Sequence, residues 1–317
     1  MNSTKKVYIQ EYIGLVNRLE TLTLAFAIQQ RHGHQVLLDW PELDALVIQG
    51  TTTQALGWGG RFGSLRLRLL ECSPEVFSQL GQHHKILLRT YIGPDEDLDR
   101  LYRETIAKIR IQPFIASEVR QIFATSFGRP VVGVHMRRGD YPLIDSDEYD
   151  TNAVKHPAVP LWWYERAMEA LQQHHPDVLF YLSFSGNGAE FQGLRKNFDI
   201  IEAMSGNPYN RVGTGHDAQK HPVIDLFALA SCSVLLATPL SSFSYYAGHV
   251  FGPPSVTILP PTKVLRSHWE AAQLDPVNGR LVGWTNACRS GEKYRKLATD
   301  LSDVHVRAAN TDWLPEV

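Results

Sequence analysis

The stretch Val131–Met136, VVGVHM, shows no alternation of apolar and polar residues and runs directly into Arg137-Arg138-Gly139-Asp140. A strand with one wet face alternates. One that is apolar throughout needs cover on both faces, which helices give to a parallel sheet. That feature restricts the chain to α/β architectures, and the surrounding segments agree. VLFYLSFS (Val178–Ser185), FDIIEA, SVLLAT (Ser233–Thr238) and SVTIL read as further strands. Helices are expected over Pro160–His175, His221–Cys232 and the segment SSFSYYAGHVFG.

The amino-terminal part repeats the alternation. Lys5–Gln10 reads as a strand followed by a turn at Gly14. Leu15, Leu19, Leu22, Ala25, Phe26 and Ile28 then recur near helical spacing until Gly33 ends the helix. Gln35–Trp40 is a second strand, stopped by Pro41. This is the strand–helix–strand unit of a parallel sheet. His84–Gly93 is expected as a strand, and Asp95–Ile111 as a helix that opens acidic, turns basic and is closed by Pro113. SEVRQIFATSF predicts another helix, and Gly128 and Pro130 mark a boundary. Two domains are therefore expected, 1–128 and 129–317. Periodicity is weak after Thr262, and no element is assigned there.

With 317 residues, 44% of them apolar, the chain can bury two cores. A formal charge of −2 excludes a general nucleic-acid binder, so any anion site must be local. Cys72, Cys232 and Cys288 lie far apart and form no CxxC pair, which predicts reduced thiols. The start MNSTKKVYIQEYIG lacks the apolar core of a signal peptide, and no run of about 18 apolar residues occurs. The expectation is a cytoplasmic protein with no transmembrane segment.

Ligands of open parallel sheets bind beyond the carboxyl ends of the strands, where Arg137 and Arg138 fall. Successive strand side chains point to opposite faces, so one guanidinium is expected on a bound anion and the other on a carboxylate. Asp140 is the expected partner of the second, Arg138. Ser241 is expected to cap the helix that follows Thr238, leaving Ser242 and the adjacent amides to hold phosphate. Phe243, Tyr245 and Tyr246 can pack. Asn17-Arg18 reads, by itself, as an Asn cap and a surface arginine. His83-His84 and His174-His175 point apart and predict no metal site.

Together these stretches resemble the fucosyltransferases that share an HxRRxD motif. His135-Met136-Arg137-Arg138-Gly139-Asp140-Tyr141 matches the HxRRGDY of the α1,2 group. Asp225–Gly248 is similar to that group's segment of aspartate-leucine helix, cysteine and SSFSWW, with Tyr245-Tyr246 in place of the tryptophans. GLVNR (Gly14–Arg18) departs from the α1,2 pattern, which has Asn-Gln, and looks more like the α1,6 and O-fucosyl branches.

The resemblance implies a GT-B architecture of two Rossmann-like domains facing a cleft, the first mainly for the acceptor and the second for GDP-fucose. It implies inverting transfer of L-fucose to a glycan or glycoconjugate hydroxyl, α1,2-linked, with α1,6 or protein O-fucosyl transfer as the alternative. It further implies that Arg137 holds the β-phosphate, with Arg138 and Asp140 shaping the loop and His135 in the donor site. Asp225 falls near the guanosine, Ser241, Ser242 and Phe243 near phosphates and base, and Asn17 near the pyrophosphate or fucose. No metal is expected, and DSDEYD (Asp145–Asp150), although it contains a formal DxD, reads as a solvated acidic loop. Glu11, Glu20 and Asp140 are all available as a base, and none is assigned. A non-catalytic nucleotide-sugar or glycan-binding module is the competing class, with Trp58 able to stack on sugar while Trp162 and Trp163 pack in a helix.

Overall fold

The structure, a computed structural model, describes residues 4–57, 62–68, 71–91, 93, 98–143, 147–154, 156–203, 221–274, 294–297 and 299–316. The chain divides into two compact units, residues 1–112 and 113–317.

The first unit contains β1 (Lys6–Gln10), α1 (Leu15–His32), β2 (Gln35–Asp39), β3 (Leu46–Ile48), β4 (Thr51–Thr53) and β5 (Leu65–Arg68). It continues with α2 (Pro74–Gln79), β6 (Lys85–Arg89), α3 (Leu98–Ala107) and β7 (Ile109–Ile111). Five strands form an all-parallel sheet in the order β4-β2-β1-β6-β5. α1 ends as the sequence predicts: Gly33 adopts φ 73° and donates its N–H to Gln29 O, a left-handed turn that glycine makes without strain. The helix expected to reach Ile111 stops at Ala107 instead. Ile109 and Ile111 are buried on either side of an exposed Arg110, and this period-two pattern pairs β7 antiparallel with β3.

The second unit contains α4 (Pro113–Ala124), β8 (Val131–Met136), β9 (Glu148–Asp150), α5 (Leu161–His174), β10 (Leu179–Phe184), α6 (Gln192–Asn197) and β11 (Ile200–Ile201). α7 (Pro222–Ala230), β12 (Val234–Leu236), α8 (Ser242–His249), β13 (Val256–Leu259), β14 (Lys263–Leu265), β15 (Ala272–Leu274) and β16 (Tyr294–Lys296) follow. Its seven-stranded sheet runs β11-β10-β8-β12-β13-β15-β16, parallel from β11 to β13 and antiparallel beyond. All six residues of β8 are buried, as a strand covered on both faces requires.

The division falls before α4, not near residue 129. α4 belongs with the second unit because Phe123 packs 5.7 Å from Tyr181 and Arg120 donates to the carbonyls of Leu314 and Pro315, each at 2.9 Å. The segment after Thr262, which carries little periodicity, adds antiparallel strands and a tail. Val131 N–H donates to Arg307 O, and Trp313 stacks on Phe227 at 5.5 Å. Trp162 and Trp163 are buried in α5, and the Trp163 indole donates to Glu270 O. Cys72 and Cys232 are buried free thiols, and Cys288 and Trp58 lie outside the described residues. No described helix is long and apolar enough to cross a membrane.

Each of the two large sheets starts in its interior. β1 and β8 each have the next parallel strands of the chain on one side and later ones on the other. The order therefore reverses between β1 and β6 and between β8 and β12, and such switch points open a crevice at the strands' carboxyl ends.

Candidate functional site

The second unit's switch point brings together most of the expected residues. β8 ends at Met136, so Arg137 and Arg138 lie just past it, and Gly139 turns the loop at φ 82°. That turn folds Asp140 back onto Arg137: Nε donates to Oδ1 at 2.8 Å and Nη2 to Oδ2 at 2.7 Å. Asp140 is thus the partner of the first arginine, not of Arg138 as expected. Burial opposes the charge on Arg137, but the hydrogen bonds and charge of Asp140 outweigh it and the pKa is raised. The pair is not sealed, with side chains 25% and 51% exposed. Nη1 and one hydrogen of Nη2 remain for another acceptor.

Arg138 has less exposed surface than Arg137, and Glu190 approaches its Nε at 3.8 Å. Burial pulls its pKa down despite Tyr164 and Glu190. The backbone of Arg138 is fixed by Ser185, whose Oγ accepts its N–H and donates to its carbonyl, both at 2.9 Å. Gly186, at φ 95°, leaves no room for a side chain, since a Cβ there would lie 2.8 Å from Arg138 Cβ.

His135 faces into the unit. Its Nδ1 lies 2.7 Å from Ser244 Oγ, and its ring stacks on Phe243 at 5.0 Å. Burial first, and the charge of Arg137 second, push its pKa down to about 3, so it is a neutral imidazole at pH 7. Phe243 stands against this histidine. Ser241 occupies the N-cap position of α8, but its side chain makes no capping hydrogen bond, contrary to expectation. Tyr245 and Tyr246 are fully buried. Asp225, in the first turn of α7, is buried and accepts a 2.5 Å hydrogen bond from Tyr181 on β10.

Asn17 belongs to the first unit, apart in sequence and unit from the rest. It is not a cap: Gly14 holds that position, and the Asn17 carbonyl accepts from Thr21 Oγ1. Arg18 is not on the surface either. It is fully buried, paired with Glu42 at 2.6 Å and lying over the Trp40 ring at 5.4 Å. Glu20, also on α1, is buried. At this unit's switch point a cavity of about 510 Å³ is lined by Gln10, Glu11, Asp39, Trp40, Pro41 and Arg89, at the ends of β1, β2 and β6. Of these only Glu11 is singled out by the sequence. A carboxylate and a tryptophan at the carboxyl end of a strand, as in LLDWP, are the signal that could have found Asp39 and Trp40.

The described residues contain no group of three or more His, Cys, Asp or Glu able to hold a metal. Within DSDEYD, Asp145 lies outside the described residues, Asp147 pairs with Arg266, and Glu148 and Asp150 pair with Lys263. His175 Nε2 donates to Val304 O at 2.8 Å and belongs to no such group among the described residues.

No protein-family model and no curated protein matches the sequence. Solved structures do match. The α-1,6-fucosyltransferase NodZ, in a crystal soaked with GDP-fucose, superposes with a TM-score of 0.50 at 15% identity, covering 86% of this chain and 99% of that one. The fucosyltransferase NodZ from Bradyrhizobium gives 0.49 at 16% identity over 83% of this chain and 99% of that one. POFUT1 in complex with GDP gives 0.49 at 9% identity, over 81% and 99%. At such identities the likeness is one of fold, and the two-unit GT-B type α/β fold expected from the sequence is the one shared with NodZ.

Proposed function

We propose that this chain is an inverting fucosyltransferase that moves L-fucose from GDP-fucose to a hydroxyl of a glycan or glycoconjugate, without a metal. The observation that carries the reading is Arg137, in the HMRRGDY stretch, standing at a sheet switch point with its charge held by a partly exposed carboxylate and donors to spare. The solved NodZ that shares the fold is an α-1,6-fucosyltransferase soaked with GDP-fucose, which supports the donor.

As the fucose–oxygen bond breaks, the ring becomes oxocarbenium-like and negative charge gathers on the departing diphosphate. A fixed guanidinium there stabilises the transition state more than the ground state. Arg137 takes that role, with Asp140 keeping the guanidinium aimed. Ser241, Ser242 and the first amides of α8 supply neutral donors for the phosphates, where a helix amino terminus favours an anion. Arg138 adds buried positive charge beneath the loop. Asp225 and Phe243 serve the nucleoside end, and His135 stays neutral and packs the site. The first unit takes the acceptor, for which its cavity lined by Glu11, Asp39 and Arg89 offers groups able to bond a hydroxyl. The linkage proposed is α1,2, from the HMRRGDY and SSFSYY stretches, and GLVNR favours α1,6 or O-fucosyl transfer as the second reading.

The test is GDP release from GDP-fucose in excess chelator, with GDP-mannose and UDP-sugars as controls. Release confined to GDP-fucose is expected. Release only with added divalent metal, or from the other donors alike, would overturn the reading.

A further inference from the structure

Thr238 follows β12 and is fully buried, yet every polar atom it owns is committed. Its Oγ1 donates to His135 O at 2.8 Å and accepts the Arg137 N–H at 3.0 Å. Its amide donates to Ser244 Oγ at 3.1 Å, and its carbonyl accepts the Ser241 N–H at 3.4 Å. One residue thus touches the backbone on both sides of Met136 and both the N-cap and first turn of α8. Tyr164, from α5, closes the group: its hydroxyl donates to His135 O at 3.1 Å and lies 3.0 Å from Thr238 Oγ1. A second tie runs parallel, the Tyr141 hydroxyl donating to Leu240 O at 3.2 Å, where Leu240 is held at φ 62°. A non-glycine residue keeps that backbone conformation only when its surroundings fix it.

We infer that Thr238 is a positioning residue that sets the spacing between the Arg137 loop and the amino terminus of α8, so that guanidinium and helix amides meet one diphosphate together. The inference rests on the fucosyl-transfer reading. A threonine suits the place because a single hydroxyl must donate and accept at once, which valine of the same shape cannot do. Thr238 touches the loops and not the reacting atoms. Its loss therefore misaligns a charge that acts in the transition state, and misplacement of that kind costs turnover far more than ground-state binding.

The experiment compares the full chain with Thr238→Val and Thr238→Ser, reading kcat and KM for GDP-fucose, GDP affinity and Tm. Thr238→Val should lower kcat by about 100-fold with GDP affinity within about threefold, and Thr238→Ser should recover kcat to within about threefold. If Thr238→Val does not fold, Tyr141→Phe removes the second tie while keeping the ring beside Arg137 and should lower kcat by about threefold to tenfold. A Thr238→Val protein with wild-type kcat, a serine variant as impaired as the valine one, or a Tyr141→Phe protein with unchanged kcat would each overturn the inference. A wild-type chain that neither binds GDP nor turns over GDP-fucose would remove the functional reading, and the inference with it.

Discussion

The two large sheets of this chain each have a switch point beside their first strand, but the arginine that follows that strand is held in opposite ways in the two units. In the first unit Arg18 and Glu42 are both fully buried, at 2.6 Å. In the second, Arg137 and Asp140 make a bidentate pair that is partly open to water. A buried pair has already been stripped of water and cannot change partners without stranding a charge. An exposed pair is worth little in stability and can accept a ligand oxygen at small cost. The first arrangement fixes a helix to the turn after β2. The second keeps a cation ready for exchange, as the proposed transfer requires for a charge that arrives with the transition state.

The largest effect expected from this contrast is on stability. Arg18→Met should destabilise the chain by about 3–5 kcal/mol in urea titrations, because Glu42 is left buried and unpaired. Arg18→Met with Glu42→Leu should recover most of that loss, and an equal or larger loss in the double variant would break the comparison.

Next is pH. The pKa of buried His135 is held down to about 3 and that of His249 to about 4, both chiefly by burial. Since each pKa is lower folded than unfolded, the unfolded chain binds more protons between these values and about 6.5, and stability must fall as pH falls through that window. The slope should be on the order of 1 kcal/mol per pH unit per histidine, seen in denaturation midpoints at pH 7, 6 and 5. His135→Gln should roughly halve it, leaving the share of His249.

A smaller effect belongs to the cavity of the first unit. Arg89→Ala should raise the acceptor KM by about threefold to tenfold, as for loss of one polar contact, and leave GDP affinity unchanged. The smallest is Asp140→Asn, which should shift stability by no more than about 1 kcal/mol, as an exposed pair does. A loss as large as that of Arg18→Met would erase the distinction between the two pairs.

Much of the fold is legible in the chain because local periodicity writes it: VVGVHM for a strand covered twice, and Leu15 to Gly33 for a capped helix. The position of the arginine pair, at the carboxyl end of that strand, is legible for the same reason. Its wiring is not. The rule that sends neighbouring side chains to opposite faces holds within a strand, and β8 ends at Met136, one residue too early. The turn at Gly139 then decides that Asp140 meets Arg137. Thr238 escapes the sequence because its partner Arg137 is 101 residues away. Arg18 escapes it because burial of an arginine depends on Glu42, which no periodicity links to it. The strand Ile109–Ile111 shows the converse: three alternating residues are too few to outweigh an adjacent helical pattern until β3 pairs with them.

The most direct measurement is turnover of GDP-fucose by Arg137→Ala, normalised to folded protein and set beside its melting temperature. Loss of one preorganised donor to the leaving group predicts a fall in kcat of about 100-fold to 1,000-fold with a nearly unchanged Tm. Wild-type turnover in the folded variant, or a loss explained entirely by unfolding, would contradict the role assigned to the exposed arginine.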